Sequence, residues 1–139
     1  MNQEDILKLK ALNVLYVEDD SEIQENFSKI LRKVFSSVTV ASNGQEGVEI
    51  FKENSENIDF IITDIKMPIM DGLEMFQEIK KLGKDVPCIV TTAHGEYDYF
   101  MQANEIGVYR YIQKPLDINE LFEAVNDYLD GREVKKIDL

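Results

Sequence analysis

Five short apolar segments recur along the chain, and they predict five β-strands. They are rich in Val, Ile, Thr and Tyr, and most of these residue types favour strands. The third and fourth segments are almost continuously apolar, which is typical of strands covered on both faces in a parallel sheet. The five segments are Val14–Val17, Val38–Ala41, Ile58–Thr63, Val86–Thr91 and Tyr109–Ile112.

The segments between and after the strands carry apolar residues at helical spacing, and they predict five helices. The first helix follows Ser21, which we interpret as its N-cap, with Gln24 three residues further on. The fourth helix runs from about Glu96 to Ile106 and is less regular. Turn and capping residues bound the others: Asn43-Gly44 before the second, Gly83 after the third, and Asp117 before the fifth, where Glu120 completes a box-like pattern.

Strict alternation of strands and helices predicts a (βα)5 chain. Such a chain forms a doubly wound parallel sheet, with right-handed crossovers that place helices on both faces. The repeating pattern covers Leu12 to Asp130, which leaves only short segments at either end. The fold class is therefore α/β.

The composition narrows the functional classes. The 139 residues include 27 acidic and 15 basic side chains, for a net charge of −12. This balance argues against nucleic-acid binding by this domain, which depends on Lys and Arg, and favours a cation or a basic partner. The single cysteine, Cys88, excludes an internal disulfide, and no apolar run is long enough to span a membrane. We therefore expect a cytoplasmic protein with no membrane partner.

Polar residues follow four of the predicted strands at the ends where parallel sheets bind ligands. Glu18-Asp19-Asp20 follows the first strand, Asp64 the third, Thr92 the fourth and Lys114 the fifth. Nothing comparable follows the second strand, as expected for an edge strand. The sequence therefore predicts one polar rim built from several strands.

Each of these groups suits phosphoryl chemistry. Crowded carboxylates repel one another unless a cation compensates, and Mg²⁺ favours oxygen ligands together with phosphate oxygens. A carboxylate beside that ion can attack a phosphoryl donor and form an acyl phosphate. The Lys114 ammonium and the Thr92 hydroxyl are donors suited to the charge on the transferring group.

The motifs on this rim resemble the signature of bacterial two-component response-regulator receiver domains, of which the chemotaxis regulator is the single-domain example. The resemblance covers the whole core, and the motifs occur in the expected order and spacing. It implies a flavodoxin-like fold with strand order 2-1-3-4-5, a receiver domain over residues 1–130, and a tail or the start of a linker over 131–139. The motifs are Val17-Glu18-Asp19, Asp64-Ile65-Lys66-Met67-Pro68 with Asp71-Gly72, Thr92-Ala93 and Lys114-Pro115.

The resemblance also implies the roles of individual residues in the site. Asp64 is the implied phosphoacceptor, and Thr92 and Lys114 contact the phosphoryl group. Asp19 and Asp64 would bind Mg²⁺, or alternatively Mn²⁺, directly, and Glu18 would do so through water. The backbone carbonyl of Lys66 would be a further ligand.

A second set of implied features concerns switching and partners. Thr92 and Tyr111 are the implied switch residues, the side chains of Lys66 and His94 tune the lifetime of the phosphoryl group, and the Lys114–Pro115 bond is cis. The donor would be a histidine kinase or a phosphotransfer protein. A downstream effector would bind the face formed by the fourth helix, the fifth strand and the fifth helix of the pattern. Homodimerisation would accompany phosphorylation, and the only catalysis would be self-phosphorylation and autodephosphorylation.

Three alternatives stay open at this point. A pseudo-receiver would bind partners without being phosphorylated, although the intact set of acidic residues, Thr92 and Lys114 argues against it. A haloacid-dehalogenase-like phosphatase or phosphotransferase usually has a second aspartate two residues after its nucleophile, where this chain has Lys66. The chain is also compatible with the N-terminal receiver of a longer DNA-binding, cyclase or kinase protein.

Overall fold

Strands and helices alternate along residues 2–93 and 98–131, the part of the chain that this computed structural model describes. In chain order the elements are α1 (Gln3–Leu9), β1 (Asn13–Val17), α2 (Ser21–Arg32), β2 (Ser37–Ala41), α3 (Gly44–Asn54), β3 (Phe60–Asp64), α4 (Gly72–Lys81), β4 (Cys88–Thr92), α5 (Asp98–Ile106), β5 (Arg110–Gln113) and α6 (Ile118–Leu129).

The five strands form one parallel sheet in the order β2-β1-β3-β4-β5. This confirms the predicted flavodoxin-like α/β fold and its strand order. β1 pairs with β3 so that Val17 lies opposite Thr63, and β3 pairs with β4 so that Asp64 lies opposite Thr91. The carboxyl ends of the three central strands therefore meet at one edge of the sheet.

Each face of the sheet packs against its own hydrophobic cluster. Successive side chains of a strand point to opposite faces, so Leu15 and Val17 join the cluster that includes residues of α3 and α4, whereas Val14 and Tyr16 join the cluster that includes residues of α2 and α6. All five residues of β3 and of β4 are buried. Burial on both faces explains why these two segments are almost continuously apolar in the sequence.

The structure corrects the predicted starts of β3 and β4. The strands begin at Phe60 and Cys88, two residues later than predicted. Ile58 and Val86 are buried in the core but precede the strands. Their apolar character reflects burial rather than strand pairing, and hydrophobicity alone does not separate the two.

The N-cap of α2 is Asp20 rather than Ser21, which is the first residue of the helix. The Asp20 side chain accepts a hydrogen bond from the backbone amide of Ile23 at 3.0 Å. The predicted cap at Asp117 is confirmed, Asn43 is the N-cap of α3, and Gly83 and Gly107 have positive φ just after α4 and α5.

Helix α1 was not predicted from the sequence, because its segment is mostly polar and acidic. Asn2 and Asp5 form a reciprocal capping box at its N-terminus. Its last residue, Leu9, is completely buried in the same cluster as Phe122 and Val125 of α6. The Lys8 ammonium lies 2.7 Å from the Asp130 carboxylate just after α6, so α1 is docked on the last helix.

Two further sequence expectations concern the environment of Cys88 and membrane-spanning helices. Cys88 is completely buried, and burial raises the pKa of its thiol, as expected for a core residue. Within the described residues no helix is long and apolar enough to cross a membrane.

Replacing Leu9 with alanine should test the contribution of α1 to the fold. Leu9→Ala should lower the free energy of unfolding by about 2–5 kcal/mol, because it leaves a cavity in a packed cluster. Leu7→Ala is the control within the same helix: Leu7 is 62% exposed, and its loss should change the free energy by no more than about 0.5 kcal/mol. Chemical denaturation monitored by circular dichroism measures both, and equal effects would contradict the docking of α1.

Candidate functional site

Three carboxylates converge at the carboxyl ends of β1 and β3. Each of Glu18, Asp19 and Asp64 offers one carboxylate oxygen, and these three oxygens lie within 4.8 Å of one another. Glu18 and Asp64 are only 3% and 8% exposed, whereas Asp19 is exposed. The structure therefore brings together the three acidic side chains that the sequence placed in the metal site.

Lys114 reaches this cluster from the residue directly after β5. Its ammonium nitrogen lies 2.8 Å from Oδ2 of Asp64 and 3.6 Å from Oε1 of Glu18. Its backbone amide donates to the carbonyl oxygen of Thr92 at 2.7 Å, and its peptide bond to Pro115 is cis, as the resemblance implied. The backbone after β5 is thus bonded to the end of β4, while the Lys114 side chain extends past β4 to Asp64 at the end of β3.

Backbone amides orient both buried carboxylates. Oδ1 of Asp64 accepts a hydrogen bond from the amide of Ile65 at 2.9 Å, and Oε2 of Glu18 accepts one from the amide of Asp20 at 3.1 Å. The Gln24 amide group donates to the carbonyl oxygens of Glu18 and Ala41, which joins α2 to the ends of β1 and β2. The two bonds from backbone amides fix the directions of the carboxylates, and the Gln24 bonds fix the backbone that carries Glu18.

The electrostatics of the site favour a bound cation. Burial raises the pKa of Asp64, and the hydrogen bond and charge of Lys114 only partly oppose this effect. The pKa of Glu18 is likewise raised by burial and by the charge of Asp64. Burial lowers the pKa of Lys114, but its hydrogen bond to Asp64 and the two carboxylate charges outweigh burial, so the net shift is upward. One ammonium against three carboxylates leaves excess negative charge in a poorly solvated place.

The donor set fits Mg²⁺. This ion prefers oxygen ligands, retains several waters, and is commonly bound by one or two carboxylates together with phosphate oxygens. Asp19 and Asp64 supply such carboxylates, and Glu18 adds a third negative charge beside them. The cluster is therefore an acidic pocket compatible with Mg²⁺.

The loop from β3 to α4 follows Asp64 and is closed by a backbone hydrogen bond. The amide of Gly72 donates to the carbonyl oxygen of Ile65 at 2.8 Å. A Cβ atom at Gly72 would lie 2.1 Å from the carbonyl oxygen of Asp64, so only glycine allows the two backbones to approach this closely. Asp71 caps α4 in a reciprocal box with Glu74. The motif Asp71-Gly72 therefore shapes the site rather than binding a ligand.

The implied switch residues occupy the neighbouring strands. Thr92 is the buried last residue of β4, and Tyr111 is a half-buried residue of β5. The ring of Tyr111 lies 4.2 Å, centroid to centroid, from the ring of Phe100 in α5. Lys66 is exposed two residues after Asp64, and His94 lies outside the described residues.

Sequence reasoning missed a cavity beside this site. Its volume is about 170 Å³, and Glu18 and Lys114 line it together with Tyr16, Ile23, Phe27, Thr91, Pro115 and Leu116. Burial and the nearby charges of Glu18 and Asp64 raise the pKa of Tyr16. The signal available in the sequence is that Tyr16 lies two residues before Glu18, the spacing at which side chains of an extended chain point to the same face.

Comparison with known proteins yields a family match over most of the chain. The model of the family described as "Response regulator receiver domain" matches residues 14–126. A solved response regulator receiver domain protein from Clostridium thermocellum has a TM-score of 0.80 at 34% identity, over 86% of this chain and 95% of that one.

Two curated relatives differ greatly in length. The sporulation initiation phosphotransferase F of Bacillus subtilis is 31% identical over 116 residues, which cover 84% of this chain and 92% of that protein. The transcriptional regulatory protein GlrR of Escherichia coli is 34% identical over 121 residues, which cover 87% of this chain but only 27% of that protein. The chain thus spans about a quarter of the longer relative.

The raised pKa of Asp64 gives a pH-dependent prediction for the metal-free protein. An acid whose pKa is higher in the folded state stabilises the fold at low pH, and this contribution is lost as the pH rises through the folded pKa. The unfolding free energy of Asp64→Asn relative to wild type should therefore increase with rising pH. Urea denaturation in EDTA between about pH 4 and 8 measures this difference. A difference that is flat or decreases with pH would contradict the raised pKa.

Proposed function

This chain belongs to the response regulator receiver domain family, and from that premise we propose that Asp64 accepts a phosphoryl group from a phosphohistidine donor. The family consists of signalling domains that act in phosphorelays. One observation carries the assignment to Asp64: this buried carboxylate lies in the acidic cluster and 2.8 Å from the Lys114 ammonium.

The transfer step is a displacement at phosphorus. An Oδ atom of Asp64 attacks the phosphorus and forms an acyl phosphate, while the bond from phosphorus to the donor's imidazole nitrogen breaks and that nitrogen keeps the electron pair. Lys114, already within hydrogen-bond distance of Oδ2, then shares its charge with the phosphoryl oxygens. Thr92 at the end of β4 supplies a hydroxyl donor on the neighbouring strand.

Asp19 and Asp64 would hold Mg²⁺ directly, Glu18 would hold it through water, and the backbone carbonyl of Lys66 would be a further ligand. When bound, the ion supplies positive charge that offsets both the carboxylates and the transferring phosphoryl group. Mn²⁺ has the same preference for oxygen and is the alternative ion. The burial of Glu18 and Asp64 supports this assignment, because the Lys114 ammonium and the backbone amides that contact these carboxylates offset the cost of their charges only in part.

Phosphorylation adds about 1.5 to 2 negative charges near neutral pH, and we assign its readout to Thr92 and Tyr111. Movement of Thr92 towards the phosphoryl group would change the space available to the Tyr111 ring, which now packs against Phe100. The output face would then be α5-β5-α6, which corresponds to the fourth helix, fifth strand and fifth helix of the sequence pattern. An effector would bind there, and the phosphorylated form would dimerise.

The donor would be a histidine kinase or a histidine phosphotransfer protein. The likeness to the sporulation initiation phosphotransferase supports a relay role, whereas the likeness to GlrR supports a receiver joined to further domains. Lys66 and His94 would tune the lifetime of the acyl phosphate, and the chemistry would be confined to this chain's own phosphorylation and dephosphorylation. The complete set of acidic residues with Lys114 argues against a pseudo-receiver.

Acetyl phosphate provides the direct test of the acceptor. Intact-protein mass spectrometry should show one added phosphoryl group on the wild-type chain in the presence of Mg²⁺, and none in EDTA or on Asp64→Asn. Asp59→Asn is a matched control. Asp59 is exposed and directly precedes β3, whereas Asp64 is the buried last residue of that strand. Undiminished labelling of Asp64→Asn would place the acceptor elsewhere, and no labelling of any sample, together with no beryllium fluoride binding, would favour a pseudo-receiver.

Replacing Asp19 tests the metal assignment separately. Asp19→Asn should weaken Mg²⁺ binding about tenfold or more, because it removes a negative charge and an anionic ligand from the cluster. Glu22→Gln is the control: it removes one exposed charge from the first turn of α2, outside the cluster. Isothermal titration calorimetry measures both affinities. Equal weakening by the two variants would contradict the assignment of Asp19 as a metal ligand, because it would show that Asp19 contributes only through its charge.

A further inference from the structure

Ile69 is an unusual residue in the loop between β3 and α4. Its exposed fraction of 80% is the highest of any large apolar residue among the described parts of the chain. Its φ of +73° lies in the left-handed region, where a β-branched residue is a genuine outlier. Ile69 therefore contributes little to the core while adopting a strained backbone conformation.

A tight turn holds Ile69 in this conformation. The amide of Met70 donates to the carbonyl oxygen of Pro68 at 2.8 Å, which closes a three-residue turn with Ile69 at its centre. Three-residue turns with a positive central φ are rare and strained. Such conformations persist only where the surroundings over-determine them, and they cluster at functional sites.

The surrounding loop supplies that constraint. The amide of Gly44 donates to the carbonyl oxygen of Met70 at 2.9 Å, and a Cβ atom at Gly44 would lie only 2.5 Å from the same oxygen. The bond between Gly72 and Ile65 closes the base of the loop. Ile69 is thus presented to solvent on a loop held at its tip and at its base.

The position of Ile69 places it inside the area that a protein donor must cover. Ile69 is three residues from Gly72, and a Cβ atom at Gly72 would lie 2.1 Å from the carbonyl oxygen of Asp64, so the backbone of Ile69 lies at most about 15 Å from that oxygen. A typical interface covers about 800 Å² on each partner, which corresponds to a radius of about 16 Å. A donor that brings its phosphohistidine to Asp64 and makes a contact of this size around it also covers the tip of the loop.

We propose that Ile69 is a preformed apolar contact that selects the protein phosphodonor, packing against an apolar side chain next to the donor's phosphohistidine. This inference rests on the proposed function. Because the loop is already rigid, the contact forms with little loss of conformational entropy, as is typical of strong anchors. A small donor such as acetyl phosphate has no protein surface, so it does not use this contact.

The experiment compares the two kinds of donor on Ile69→Asn. Asparagine tolerates positive φ, so this variant should fold with an unfolding midpoint no lower than that of wild type. The protein donor is the autophosphorylated histidine kinase that, among those of the source genome, transfers fastest to the wild-type chain. We expect its kcat/KM for transfer to fall about fivefold or more, while the rate of labelling by acetyl phosphate with Mg²⁺ stays unchanged.

Two further variants complete the experiment. Ile69→Leu keeps an apolar side chain and should restore most of the transfer, whereas Leu7→Asn removes an exposed apolar residue from α1 and should leave transfer unchanged. Unchanged transfer to Ile69→Asn, equal slowing with both donors, or failure of every kinase to transfer to wild type would overturn the inference. In each of these cases, labelling of Asp64 by acetyl phosphate would still support the proposed acceptor chemistry, and its absence would overturn that as well.

Discussion

The ion pair between Lys114 and Asp64 is the interaction on which the arrangement of the site depends. The two residues are 50 positions apart in the sequence, yet their side chains meet at 2.8 Å. They meet because β4 is the only strand between β3 and β5, which places the two strand ends roughly 9–10 Å apart, within reach of a long lysine side chain. The order of the strands in the sheet thus determines which side chains meet in the site.

The same arrangement is electrostatically unfavourable in the absence of a ligand. Burial raises the pKa values of both Asp64 and Glu18, the charge of Asp19 raises that of Asp64 further, and the charge of Asp64 raises that of Glu18, which means that ionising these carboxyls costs the folded state free energy. The surrounding backbone offsets part of this cost with amides directed at both carboxylates. A cation bound beside these carboxylates would relieve a cost that the fold already bears.

The sequence predicts the parts of this structure that follow from repeated patterns, and it misses the parts that depend on a single tertiary contact. The alternation of strands and helices and the cap at Asp117 follow from periodicity, the converging carboxylates follow from the motifs at the strand ends, and the strand order follows from the resemblance to receiver domains. Helix α1 escapes prediction because one buried residue, Leu9, docks it. The strained turn at Ile69 escapes for a related reason: no local propensity favours positive φ at isoleucine, and only the contacts of its loop impose it.

Hydrogen bonds at the end of β4 link Asp64 to the elements through which the proposed phosphorylation would affect a distant surface. The amide of Ile65 donates to the Thr91 carbonyl and that of Lys114 donates to the Thr92 carbonyl, so the segments that carry Asp64 and Lys114 bond to two consecutive residues of β4. The chain then continues to α5, whose C-terminal carbonyl at Ile106 is bound by the Lys80 ammonium of α4 at 2.5 Å. In the proposed switch, a movement of Thr92 at the end of β4 would alter the contact between Phe100 of α5 and Tyr111 of β5.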